Sequence, residues 1–184
     1  MKQLTEQQIT DNWTDLRTII NNTFTGDRLE KLNKMYDDFE DRMIVAPASG
    51  KAAFHNAMVG GYVEHILHVV NMSQQIRDTW ESNDAKINFT NEELIFAALH
   101  HDLGKVGDLE GNDYYVVQDN DWRVKNLGEI YTHNEDLFYL HLSLRNLLFF
   151  TDFFVNLHPV LDIINHIDFG EGFFDILQEF FFFL

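Results

Sequence analysis

Apolar residues recur every three or four positions along most of this 184-residue chain, the signature of α-helices packed by one face. Ile9, Trp13, Leu16 and Ile20 form one such stripe. Leu29, Leu32, Tyr36, Phe39 and Met43 form a second, closed by Pro47-Ala-Ser-Gly50. Past a short segment around Phe54–Met58, Gly60-Gly61 opens a third helix that runs to about Trp80, with Tyr62, Ile66, Val69, Val70 and Met72 on its buried side. Ser82–Phe89 is a polar connection. Thr90-Asn-Glu-Glu93 then fits a capping box, in which the Thr hydroxyl and the Glu carboxylate satisfy each other's backbone amides. It starts a fourth helix, Asn91 to His101, whose run Leu94–Leu99 implies burial on most sides.

One stretch breaks the period. Tyr114-Tyr-Val-Val117 and Trp122-Arg-Val-Lys125 are rich in β-branched and aromatic residues, and Gln118–Asp121 between them has turn chemistry. The segment is read as a small β-hairpin. Further helices are expected from about Asn134 to Phe154, from Pro159 to about Ile167, and from Gly172 to the end. Pro159 suits a first helical turn, where its missing N–H costs nothing. No linker and no internal repeat divides the chain, so residues 1–184 are expected to form a single all-α domain, a helical bundle with one small β-hairpin insertion.

Charge narrows the partners. Thirteen Lys+Arg against 30 Asp+Glu give a formal net charge of -17. Such a surface repels phosphate, which argues against duplex nucleic acid and against an anionic membrane. A phosphorylated substrate needs something locally positive, such as a metal ion. The chain has no cysteine, which excludes disulfides, thiolate catalysis and Cys-based zinc sites. MKQLTEQQITDNW lacks the apolar stretch of a signal peptide, so an intracellular, cytoplasmic protein is expected. Twelve of the 17 Phe lie from Phe138 onward, yet the span Phe173–Leu184 falls well short of the ~20 residues that cross a bilayer. Four consecutive Phe point all round a helix, so one domain surface cannot cover them. A homo-oligomer interface through the Phe-rich C-terminus is the expectation, with burial in the last turn of a core helix as the alternative.

The histidines carry the chemistry. Nine of them sit at 55, 65, 68, 100, 101, 133, 141, 158 and 166. His101-Asp102 ends the very apolar helix EELIFAALH and is followed by Leu-Gly-Lys105. A carboxylate at the foot of a buried helix is costly unless it is paired or bound to a cation. With a neutral imidazole beside it, it forms a mixed N/O site suited to Zn, Mn, Fe, Co or Ni. A second imidazole comes from the preceding helix, where His65 follows Glu64 in GGYVEHILHVV and the Gly pair permits close backbone approach. His68, one turn on, is read as a solvent or supporting residue rather than a ligand. A last acidic ligand should come from a late helix, and Asp162-Ile-Ile-Asn-His166-Ile-Asp168 offers it.

These residues resemble the HD-domain metal-dependent phosphohydrolase superfamily, whose signature is a His, an adjacent His-Asp on the next helix and an Asp on a late helix. His55-Asn-Ala-Met-Val-Gly-Gly-Tyr-Val-Glu-His65 is similar to the "H-x-x-x-x-G-G-L-x-E-H" segment of one branch, which includes bacterial exoribonucleases. Ala98-Leu-His-His-Asp-Leu-Gly-Lys105 matches that branch's "L-x-H-D-x-G-K". The stretch Tyr114–Tyr131, with Trp122-Arg-Val-Lys-Asn-Leu-Gly-Glu129, is similar to small HD hydrolases encoded by bacteriophages, which would act in the host cytoplasm. The likeness covers about residues 50 to 170. It implies a metal held by His65, His101, Asp102 and Asp168. Phage relatives read "H-D-G" where this chain has His166-Ile-Asp168-Phe-Gly170, which leaves His166 and Asp162 as competitors to Asp168.

The resemblance implies metal-assisted hydrolysis of a phosphate ester, with one divalent transition ion expected. His101 and Asp102 hold the ion, and Lys105 is read as a phosphate clamp, against the plainer role of a cation at a helix C-terminus. His55 could bind phosphate or protonate a leaving group, or be structural. Arg123 and Lys125 could reach a substrate, as could Arg145, although solvated surface charges are the simpler reading. A second ion would need His133 and His141, and one ion is preferred. A short acidic chain favours a small nucleotide or related phosphate ester over long polynucleotides. A phosphodiesterase or exonuclease acting on short RNA or cyclic nucleotides is the alternative. A diiron HD oxygenase and a non-catalytic assembly module are more distant ones.

Overall fold

The computed structural model describes residues 3–108, 110–135 and 137. Over these residues the chain is mostly helical, with one small two-stranded antiparallel sheet. The expected helices beyond Leu137 lie outside the described residues.

Helix α1 (Glu6–Thr23) starts with a capping box that the sequence reading did not single out: the Thr5 hydroxyl accepts from the Gln8 amide while the Gln8 side chain accepts from the Thr5 amide. Its face Trp13, Leu16 and Ile20 is buried as the spacing predicts. Helix α2 (Gly26–Met43) buries Leu32, Tyr36 and Met43, with Leu29 and Phe39 partly covered. Helix α3 (Gly61–Ser82) is the central element, packed against both α1 and helix α4 (Asn91–His100). The Thr90/Glu93 capping box of α4 forms as predicted, with the Glu93 amide donating to the Thr90 hydroxyl and the Thr90 amide to the Glu93 carboxylate. Tyr62, Val63, Ile66, Val69 and Val70 of α3 and Ile95, Ala98 and Leu99 of α4 join the α1 and α2 stripes in one core. Burying a side chain of this kind stabilises the fold by ~1.5–3 kcal/mol before chain entropy is counted. Among the described residues, no helix is long and apolar enough to cross a membrane.

The hairpin reading needs correction. Strand β1 (Tyr115–Val117) pairs antiparallel with β2 (Tyr131–His133), in the register Tyr115 to His133 and Val117 to Tyr131. Residues 122–125 are not a strand; they belong to a short helix, α5 (Asp121–Leu127). The cause is local. The Asn120 side-chain oxygen accepts from the amides of both Trp122 and Arg123, which caps a helix, and Gly128 closes it in the left-handed conformation at φ 67°. Trp122 and Val124 have strand propensity, but that propensity acts through cross-strand neighbours, which the cap denies them.

Candidate metal centre

Two glycines let the site close. A Cβ on Gly61 would fall 2.0 Å from the Asn56 carbonyl oxygen, so only glycine lets the segment before α3 lie against its first turn. Gly60 is left-handed at φ 75°, and a Cβ there would meet Ile9. This contact lays the His55 ring beside that of His65, with centroids 4.5 Å apart. His65 itself is buried, one turn into α3.

The end of α4 supplies the rest. Successive helical residues turn by roughly 100°, so the adjacent histidines lie on different faces. His100 points into the core, where its Nδ1–H donates to the Phe96 carbonyl and its Nε2 lies 3.4 Å from the Tyr36 hydroxyl. Burial, opposed by the hydrogen bond to Phe96 and helped by neighbouring His101, lowers its pKa to about 4, so it is a neutral core residue. His101, at the helix cap, turns instead towards α3. Its Nε2 is 3.1 Å from His65 Nε2, and both nitrogens are 3.4 Å from Asp102 Oδ2.

Hydrogen bonding sets the tautomer. His101 Nδ1 lies 2.8 Å from the Ala98 carbonyl, which can only accept, so this nitrogen carries the proton. Its Nε2 faces the cluster, and once free of a proton it offers a lone pair to an ion. A metal-binding imidazole is ordinarily held in this way. The donor triangle has the right size as well. Ligand atoms ~2.1 Å from one ion stand roughly 3.0 Å apart at right angles and roughly 3.4 Å apart at the tetrahedral angle. His65, His101 and Asp102 thus form a group that could hold a metal ion.

Asp102 remains a carboxylate. Burial pushes its pKa up, but the hydrogen bonds of His101 and His65 and the charge of Lys105 outweigh that and hold it well below the usual range. Lys105 Nζ lies 2.8 Å from Oδ2, brought back over the carboxylate by the 3-10 turn Leu103–Lys105. The same ammonium donates to the Ala48 carbonyl at 3.3 Å, which also accepts from the Tyr115 hydroxyl at 3.3 Å. His55 borders the cluster with its Nε2 buried and, among the described residues, without a hydrogen-bond partner. Burial first, then the electrostatic influence of neighbouring His65 and Lys105, lowers its pKa to about 4.

The structure thus brings His55, His65, His101, Asp102 and Lys105 together. His68 is exposed, in line with the solvent reading. Arg123 lies on α5 and pairs with Glu129 at 2.9 Å, while Lys125 is an exposed charge on the same helix. His133 sits in β2 with its ring stacked against Tyr114. Asp168, Asp162, His166, His141, His158, Arg145 and the Phe-rich end lie outside the described residues.

The sequence reading missed the tyrosines. Tyr62, Tyr114 and Tyr115 all have phenols raised by burial first, with the Asp102 charge adding to each. Tyr114-Tyr115 was legible as strand content but gave no sign of facing a carboxylate. Comparisons of the chain with protein-family models, with curated proteins and with solved structures find no match.

Proposed function

We propose that the chain is a metal-dependent phosphohydrolase of the HD-domain superfamily, acting on a small nucleotide or a related phosphate ester. The observation that carries this reading is the triangle of His65 Nε2, His101 Nε2 and Asp102 Oδ2, sized for one ion and supported by the Ala98 carbonyl behind His101. Asp168 is the proposed fourth ligand. A divalent Mn, Fe, Co, Ni or Zn ion supplies Lewis acidity there and lowers the pKa of a bound water.

The chain's own residues have separable tasks. His65 and His101 offer neutral nitrogens, and Asp102 adds one negative charge from a largely water-excluded position. Lys105 brings a positive charge to the edge of the cluster, where a phosphoryl oxygen would sit. His55, neutral at pH 7, can donate or accept one hydrogen bond through the Nε2 that has no partner among the described residues. Arg123 is engaged with Glu129 and is not assigned to the substrate. The surface charge of -17 favours a ligand that enters by way of one local positive centre over a long polyanion.

The test is phosphate or pyrophosphate release across a nucleotide panel with each divalent metal added, comparing wild type with Asp102→Ala. Metal-dependent release that Asp102→Ala abolishes supports the reading. Release that survives Asp102→Ala, or none by wild type with any metal, overturns it.

A further inference from the structure

The oxygen that a metal would need already holds a cation. Asp102 Oδ2 faces both imidazole nitrogens at 3.4 Å and the Lys105 ammonium at 2.8 Å. Lys105 has a second acceptor that belongs to no donor set, the Ala48 carbonyl. That carbonyl is fixed in place: Ala48 is fully buried, its amide donates to the Asn56 carbonyl at 3.0 Å, and its oxygen also takes the Tyr115 hydroxyl. The ammonium therefore sits between one acceptor that a metal would claim and one that would stay.

We propose that Lys105 is the resident counter-ion of the metal-free cluster. It neutralises Asp102 while the protein folds, and yields Oδ2 to a divalent ion while keeping its hold on Ala48. This inference rests on the metal reading above. It makes loading of the ion and release of the ammonium towards the substrate a single exchange. An unpaired carboxylate at this depth would destabilise the metal-free fold. A positive charge in contact with a ligand oxygen must also weaken the binding of a second, doubly charged cation.

Removing the charge should therefore have two effects of opposite sign. In Lys105→Met the metal-free protein melts at a lower temperature than wild type, yet binds Mn2+ about tenfold more tightly. A residue that merely supports the fold would lose stability and affinity together. Lys105→Gln, which keeps a hydrogen bond to Asp102 without the charge, provides a milder variant and should tighten binding as well. Lys105→Arg retains the charge and should stay near wild type.

The experiment is calorimetric titration of the full chain with Mn2+ alone, paired with thermal melts of the metal-free proteins. Tighter binding in Lys105→Met and Lys105→Gln but not in Lys105→Arg supports the proposal. Wild type that binds Mn2+ while both neutral variants bind it equally or more weakly overturns this inference and leaves the metal reading standing. Absence of binding in wild type and every variant, repeated with Co2+ and Zn2+, overturns both.

Discussion

The Nε2 atoms of His65 and His101 lie 3.1 Å apart although 36 residues separate them in the chain. Two ring nitrogens at that distance share one proton or one ion. With both rings neutral, His101 Nδ1–H donates to the Ala98 carbonyl and the hydrogen between the two Nε2 atoms is carried by His65. An ion would take that hydrogen's place, and a neutral His65 would then carry its proton on Nδ1 instead.

The first prediction follows from that pair. His101→Gln should weaken divalent-metal binding by at least about a hundredfold, since a ligand matters no less than its supporting groups. His68→Gln, on the exposed side of the same helix as His65, should leave metal affinity unchanged and folding stability within ~0.5 kcal/mol. Equilibrium metal titration of both variants checks it.

His100 gives a pH dependence. Its pKa falls from 6.5 to about 4 on folding because burial disfavours the charged ring. The unfolded chain therefore takes up a proton below pH 6.5 that the folded protein refuses until about pH 4. Stability of the metal-free protein should fall as pH is lowered through that window, and this contribution should be flat above it. His100→Leu should make the fall shallower. Urea unfolding at pH 5 and pH 7.5 measures the difference, and equal differences in wild type and variant would contradict it.

Gly61 tests the packing that brings His55 to the cluster. In Gly61→Ala the new methyl must displace the Asn56 carbonyl, which it would otherwise meet at 2.0 Å. The expected cost is about 2 kcal/mol of stability, read from a denaturant midpoint. An unchanged midpoint would mean that the segment before α3 does not press on its first turn.

The cap of α5 tests the corrected hairpin. Asn120→Ala removes the acceptor of two backbone amides and should cost about 1 kcal/mol. Amide exchange at residues 121–127 should speed up selectively. If 122–125 were a strand, backbone chemical shifts there would be extended and the substitution would leave exchange unaltered.

Much of this was legible in the residues. The three-and-four spacing located four helices because burial of one face imposes it, and Thr90/Glu93 marked a helix start because its chemistry is local. His65 and His101-Asp102 could be matched as partners from their motifs, although the 3.1 Å contact itself is tertiary. The strand pairing was misread because Trp122-Arg-Val and Tyr131-Thr-His have the same β content. Asn120 and Gly128, both visible in the sequence, were the signals that distinguish them. The Ala48 carbonyl was beyond reach. A backbone acceptor has no side-chain signature, and what makes this one matter is Lys105 and Tyr115 arriving from 57 and 67 residues away.

The most direct measurement is anomalous diffraction from crystals of the full chain grown with Mn2+ or Zn2+, with data collected at the metal's absorption edge. The account predicts one strong peak per chain, ~2.1 Å from His65 Nε2, His101 Nε2 and an Asp102 carboxylate oxygen. A metal-replete protein whose peaks lie elsewhere, with those three atoms bound to no ion, would contradict it.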